Sequence, residues 1–298
     1  MPTLIISPRT TVTRHSRVGA IAVAAACINA ALAHSALASP WAGSVASFNP
    51  GLTPQADYPN PATTLGSPER FTGEGEFPSN VTLFNPAFGV DELFSIGEGG
   101  HLTLELSTPA TNDAAHLHGV DLIVFGNAGF LASDYPNMGS PAELFQPESG
   151  RIEVSGDGVN FFEIPGWTAD NLFPTLGYLD VEGFSGTPGN VPTNFLRPMN
   201  PALTLSSFDG LTYDQALALY DGSGGGTPID IGLVGLATVT YVRISVDDDL
   251  NASTNLSAEI DAVATVPEPA TALLALAAGV GLVMRKSRLV IQAVSDRE

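Results

Sequence analysis

Two stretches decide the fold class: Val120-Asp121-Leu122-Ile123-Val124-Phe125, and Arg151-Ile152-Glu153-Val154-Ser155 with Asn160-Phe161-Phe162-Glu163-Ile164 beyond Gly156-Asp157-Gly158. The first is mostly apolar on both faces, as in the central strand of a sandwich. The second is two short strand-like runs around residues that tolerate positive φ, which signals a hairpin. Period-two side chains send one ring of the Phe161-Phe162 pair inward and one outward. Outward along the chain the same chemistry repeats. In His101-Leu102-Thr103-Leu104-Glu105-Leu106-Ser107 leucines alternate with polar residues. Val239 to Val246 (VTYVRISV) alternates again, and Ala258 to Val266 (AEIDAVATV) reads as a final strand. The best helix is Leu211 to Tyr220, which stops before Gly222-Ser223-Gly224-Gly225-Gly226. Antiparallel strands without intervening helices predict an all-β sandwich with long loops and one short helix. Residues 39–78, rich in Pro and Gly, are expected to wrap the sandwich edge, and 167–230 to form a long insertion.

The chain has 298 residues and a formal net charge of −20. Residues 39–266 hold 28 of the 31 acidic residues and four of the 11 basic ones, Arg70, Arg151, Arg197 and Arg243. Such a field repels nucleic acid and favours divalent cations. The single cysteine, Cys27, excludes a disulfide scaffold and a thiolate zinc site.

Both ends read as addresses. Arg9, Arg14 and Arg17 precede the uncharged run Val18 to Ala33, and Ala36-Leu37-Ala38 offers a small-x-small cleavage site. This predicts a signal peptide over 1–38, handled by the Sec translocon and signal peptidase, rather than a membrane anchor. Near the other end, Pro267-Glu268-Pro269 is followed by fifteen uncharged residues, Ala270 to Met284, then by Arg285, Lys286 and Arg288. As a helix that run is roughly 22 Å long, thin for a hydrocarbon core of ~30 Å. The basic cluster is expected to stay cytoplasmic and the body outside.

The order of these three parts resembles the PEP-CTERM sorting signal. The resemblance implies recognition by an exosortase, transient anchoring through residues 267–298, and delivery to the cell surface or extracellular matrix. In this chain Leu289 to Glu298 continue past the basic residues, where such signals usually stop. The body carries a second resemblance. Val120 to Ala128 (VDLIVFGNA), Ile152 to Gly158 (IEVSGDG), Tyr241 to Ile244 (YVRI) and Glu259 to Ala262 (EIDA), in that order, are similar to bacterial cell-surface domains with a galactose-binding-like (discoidin-like) jelly roll. That likeness implies an extracellular recognition module, often for carbohydrate and often with structural calcium.

A calcium ion wants six to eight oxygens. The oxygen-bearing candidates are Asp247, Asp248 and Asp249 at a strand end, Glu259 and Asp261 on the next strand, and Asn112 and Asp113 ahead of Asp121. A transition-metal pair is conceivable at His116-x-His118 if both rings share a strand face, but no histidine follows to complete a set. G-x-S-x-G and H-E-x-x-H are absent. Paired carboxylates of a glycoside hydrolase are the remaining catalytic option. Gly222 to Thr227 lacks the lysine of a phosphate-binding loop and reads as a flexible loop. Trp167, after Pro165-Gly166, is the candidate exposed platform for a sugar. Asn80-Val81-Thr82 and Asn251-Ala252-Ser253 match the glycosylation sequon. The expectation is a secreted, non-enzymatic envelope or matrix module binding exopolysaccharide or another glycan. The competing expectation is a structural or adhesive envelope protein with no specific ligand.

Overall fold

The computed structural model describes residues 39–73, 80–138, 142–145, 148–248 and 257–268. Ala36, Ala38, Asp249, Asn251, Pro269, Arg285, Lys286, Arg288 and the expected C-terminal hydrophobic helix lie outside them. Among the described residues no helix is long and apolar enough to cross a membrane.

Antiparallel strands make two sheets. One has five strands in the order β1 (Ala42–Asn49), β3 (His101–Thr111), β10 (Thr238–Ser245), β7 (Gly150–Ser155) and β8 (Phe162–Ala169). The other has four, in the order β2 (Phe94–Gly97), β11 (Ser257–Thr265), β4 (Leu122–Gly126) and β9 (Thr227–Ile229). A two-stranded ribbon pairs β5 (Gly129–Phe130) with β6 (Leu144–Phe145). From β8 onward the chain alternates between the two large sheets, as in a jelly roll.

The main core lies between the sheets. Leu102, Leu104 and Leu106 of β3, Ile152 and Val154 of β7, and Val242 and Ile244 of β10 meet Phe94, Ile96, Leu122, Val124 and Ile260. The alternating leucines therefore point one way, as period two requires. The smaller sheet is covered on its outer face too, where Ile123, Phe125, Ala262 and Ala264 pack with Phe195. Burial on both faces is why the 120–125 run lacks alternation. The edges are blunted: β1 carries register shifts, and β9 is three residues long with Pro228 in it.

The 167–230 stretch is more ordered than its composition predicts. Helix α1 (Tyr213–Tyr220) is capped by Thr212, whose side chain accepts from the Gln215 N–H while Gln215 reaches back to the Thr212 N–H. The buried face of α1 (Tyr213, Ala216, Tyr220) packs with Leu83, Phe84, Phe130, Phe173, Met199 and Phe208 in a separate apolar cluster.

The segment expected to wrap the sandwich edge does so as a hydrogen-bonded edge strand, β1, paired to β3. Several expectations need correcting. Gly222 to Thr227 is not a flexible loop, because Ser223 to Thr227 are all buried. A Cβ on Gly225 (φ +82°) would meet the Pro174 carbonyl oxygen at 2.1 Å, so glycine here permits close backbone packing. Trp167 is half-buried against both the main core and the insertion cluster, and so is no exposed platform. Neither Phe161 nor Phe162 enters the core: Phe162 is exposed, and Phe161 lies 3.9 Å from the Arg243 guanidinium. Asn80 is fully buried, its amide donating to the Ser185 and Thr187 carbonyls, so its sequon is inaccessible in the folded chain.

Candidate functional site

The end of β8 turns at Asp170, whose φ of +55° is left-handed. Its carboxylate is buried and stitches β4 to β11. Oδ1 accepts the Asn127 and Ala128 N–H groups at 2.8 and 2.9 Å, and Oδ2 accepts the Glu259 N–H at 2.9 Å. Gly126 makes this possible, since a Cβ there would sit 2.5 Å from Asp170 Oδ1. Two more carboxylates converge on the same point. Glu259 of β11 is buried and accepts from Ser95 Oγ at 2.7 Å. Glu148, just before β7, accepts from Ser257 Oγ at 3.1 Å. One oxygen from each of Glu148, Asp170 and Glu259 lies within 4.8 Å of the others.

Three carboxylates this close cannot all stay charged unless a proton or a cation intervenes. Burial, then the hydrogen bond and charge of Glu259, push Glu148 up to about 9. Burial, then Glu259, raise Asp170 well above the usual carboxylate range, against three backbone N–H bonds that favour its anion. An all-oxygen donor set of this charge suits a hard cation such as calcium. Beside it, the buried Asn127 Oδ1 has no hydrogen-bond partner, which leaves a further oxygen ligand available.

Glu259 and Asn127 also border a cleft of about 280 Å³. Its other walls mix ring faces (Tyr58, Phe84, Phe88, Phe145) with polar groups (Gln55, Asp57, Asn85). Tyr58 is fixed by donating its hydroxyl to the Phe88 carbonyl at 3.0 Å.

The structure does not gather the expected calcium ligands into one site. Asp247 is exposed and pairs with Arg151 at 2.8 Å, and Asp248 is exposed beside Gly99. Asn112 and Asp113 lie in the turn ahead of Asp121, which is fully buried. The Asp121 oxygens accept from the Asp113 and Ile231 N–H groups and face His116 Nδ1 at 2.8 Å. Asp261 is buried elsewhere on β11, raised by burial and by the charges of Glu69 and Glu92. Among the described residues of the expected set, only Glu259 joins the Glu148–Asp170 cluster. His116 and His118 do not share a strand face: His116 is buried, while His118 is exposed in a 3-10 turn with φ +61°.

Sequence reasoning missed Glu148, Asp170 and Asn127. Asn127 stands inside the quoted VFGNA strand, and Glu148 and Asp170 bracket the quoted hairpin. No family profile matches the chain, and no curated protein sequence is similar to it.

Proposed function

We propose that this is a secreted, surface-sorted, non-enzymatic envelope or matrix protein whose sandwich binds a neutral glycan beside a calcium ion held by Glu148, Asp170 and Glu259. The observation that carries the reading is the cleft whose aromatic and amide walls border the carboxylate cluster. Ring faces suit sugar C–H surfaces, and amides and carboxylates suit hydroxyls. Secretion, exosortase sorting and the galactose-binding-like relationship rest on the sequence motifs at 36–38, 120–128 and 267–288. The carboxylates supply a competing reading as a glycoside hydrolase, because Glu148 and Asp170 both have raised pKa values. Their spacing argues against it. One oxygen of Glu148 lies within 4.8 Å of one of Glu259. Retaining pairs stand about 5–5.5 Å apart, and inverting pairs about 6.5–9.5 Å.

The test is thermal unfolding with calcium and with chelator, followed by a glycan array in calcium. Calcium at about a hundred times its Kd adds roughly 2.7 kcal/mol, a shift of about 5–10 °C for a body of this size. Phe145, 45% exposed at the cleft, is the residue to change. Phe145→Ala is expected to abolish glycan retention while leaving the calcium shift intact. A calcium shift with no glycan retained on any array would favour the structural or adhesive envelope role. Release of reducing ends from a retained glycan would restore the hydrolase.

A further inference from the structure

A second group of ligand-type side chains gathers where β11 leaves the sandwich. His116 stands at the start of the 3-10 turn between β3 and β4, and its side chain is 1% exposed. Its Nδ1 faces Asp121 Oδ1 at 2.8 Å. Asp121 already accepts two backbone N–H groups, so it acts as an acceptor and places the imidazole proton on Nδ1. The lone pair is then on Nε2. That nitrogen is buried and has no hydrogen-bond partner. Glu268 Oε2 lies 3.7 Å from it. The Asp113 carboxylate completes the group, and one ligand atom from each of Asp113, His116 and Glu268 falls within 4.8 Å of the other two.

We propose that Asp113, His116 and Glu268 bind a zinc-type divalent cation, which clamps the start of the C-terminal tail to the sandwich. Three observations converge. An unpartnered, buried imidazole nitrogen aimed at two carboxylates is a donor set without its acceptor. Asp121 holds the far side of the ring, the outer-sphere arrangement that fixes the tautomer and raises the basicity of a ligating histidine. Glu268 and Asp113 bring two like charges together, and a cation removes that repulsion. The nitrogen donor selects a first-row ion over calcium, which separates this site from the all-oxygen cluster at Glu148. Three protein ligands are one short of a tetrahedral set, and His116 and Glu268 border a groove with Leu196, Arg197, Pro198, Val266 and Pro267. The clamp does not depend on the glycan reading. Its structural consequence is that the Pro267-Glu268 segment is held against the body rather than trailing from it.

The experiment uses the full chain in detergent with calcium present throughout. Zinc is titrated calorimetrically, and cobalt(II) is added to a parallel sample for its visible ligand-field spectrum. One zinc equivalent is expected, together with cobalt bands of a low-coordinate site that zinc bleaches. Asp113→Asn and Glu268→Gln change partly or well-exposed side chains, so both variants should fold. Each is expected to weaken zinc binding about tenfold or more. Asp247→Asn, an exposed carboxylate elsewhere, should bind zinc unchanged. Absence of a stoichiometric zinc site overturns the proposal. So does wild-type zinc affinity in Glu268→Gln, or an equal loss in Asp247→Asn.

Discussion

Asp170 Oδ2 accepts the backbone N–H of Glu259 at 2.9 Å while its other oxygen holds two N–H groups following β4. One side chain at the end of the five-stranded sheet thus ties together two strands of the other sheet. The same contact places the Asp170 and Glu259 carboxylates side by side, so the fold and the candidate site share an atom set. Asp170→Ala strands three buried N–H groups and leaves a void. It should cost more than about 3 kcal/mol in urea unfolding, at about 1–3 kcal/mol for each unmade bond. Asp170→Asn mimics the protonated acid and loses one acceptor, a cost of about 1–3 kcal/mol. It should also remove the calcium-dependent gain. A calcium shift that survives in Asp170→Asn would move the ion elsewhere.

The cluster also predicts an unusual pH dependence. Glu148 has a folded-state pKa of about 9 against an ordinary 4.5. Between those values the folded chain holds a proton that the unfolded chain has released. Stability therefore falls as pH rises through this window. Calcium replaces the proton, so the decline should flatten in its presence. The measurement is the urea midpoint from pH 5 to pH 9, with calcium and with chelator. Parallel slopes in the two series would mean that Glu148 and the ion do not share a site.

A different carboxylate runs the opposite way. Glu153 is largely buried on β7, and burial alone would raise it. Bonds from Arg243 (2.8 and 2.5 Å) and Ser245 (2.5 Å) outweigh that and hold it below the usual value. Its contribution is present above the ordinary carboxylate pKa and lost as pH falls. Arg243 also stacks on Phe161, so lysine cannot replace it. Arg243→Lys and Arg243→Met should both destabilise, by about 1–3 kcal/mol. That is below the cost of breaking a fully buried pair, because the Arg243 side chain is 31% exposed. The loss should shrink at acid pH, where Glu153 is protonated. A loss independent of pH would assign it to packing alone.

What the sequence made legible follows from periodicity. The leucines of β3, the hairpin between β7 and β8, and the doubly apolar β4 could be read because each carries its burial pattern within one short run. β1, β2, β9 and the ribbon strands β5 and β6 were missed. β2 is four residues and β9 three, too short for a period to show, and β1 sits in a stretch whose glycines and prolines mask it. The candidate site failed for another reason. Glu148, Asp170 and Glu259 come from three segments up to 111 positions apart, and only the closure of the sandwich brings them together. The triple acid at 247–249 was conspicuous because its members are adjacent, yet Asp247 pairs with Arg151.

Glycine composition misled most at 222–226, and that region gives the sharpest stability test. Five residues with almost no side chains look like a hinge, but four of them are buried. Gly225 and Gly226 both have φ +82°, and a Cβ on Gly226 would press within 2.6 Å of Ile123. The backbone itself fills the space beside β4. Gly225→Ala meets both a left-handed φ and a backbone clash. Gly210, at φ +65° with no atom within 4 Å of an added Cβ, meets only the first. Gly210→Ala should therefore cost about 1–2 kcal/mol. Gly225→Ala should cost clearly more, at least about 3 kcal/mol once the clash is added. Equal urea midpoints for the two variants would show that the 222–226 segment yields freely, and would return it to the status of a flexible loop.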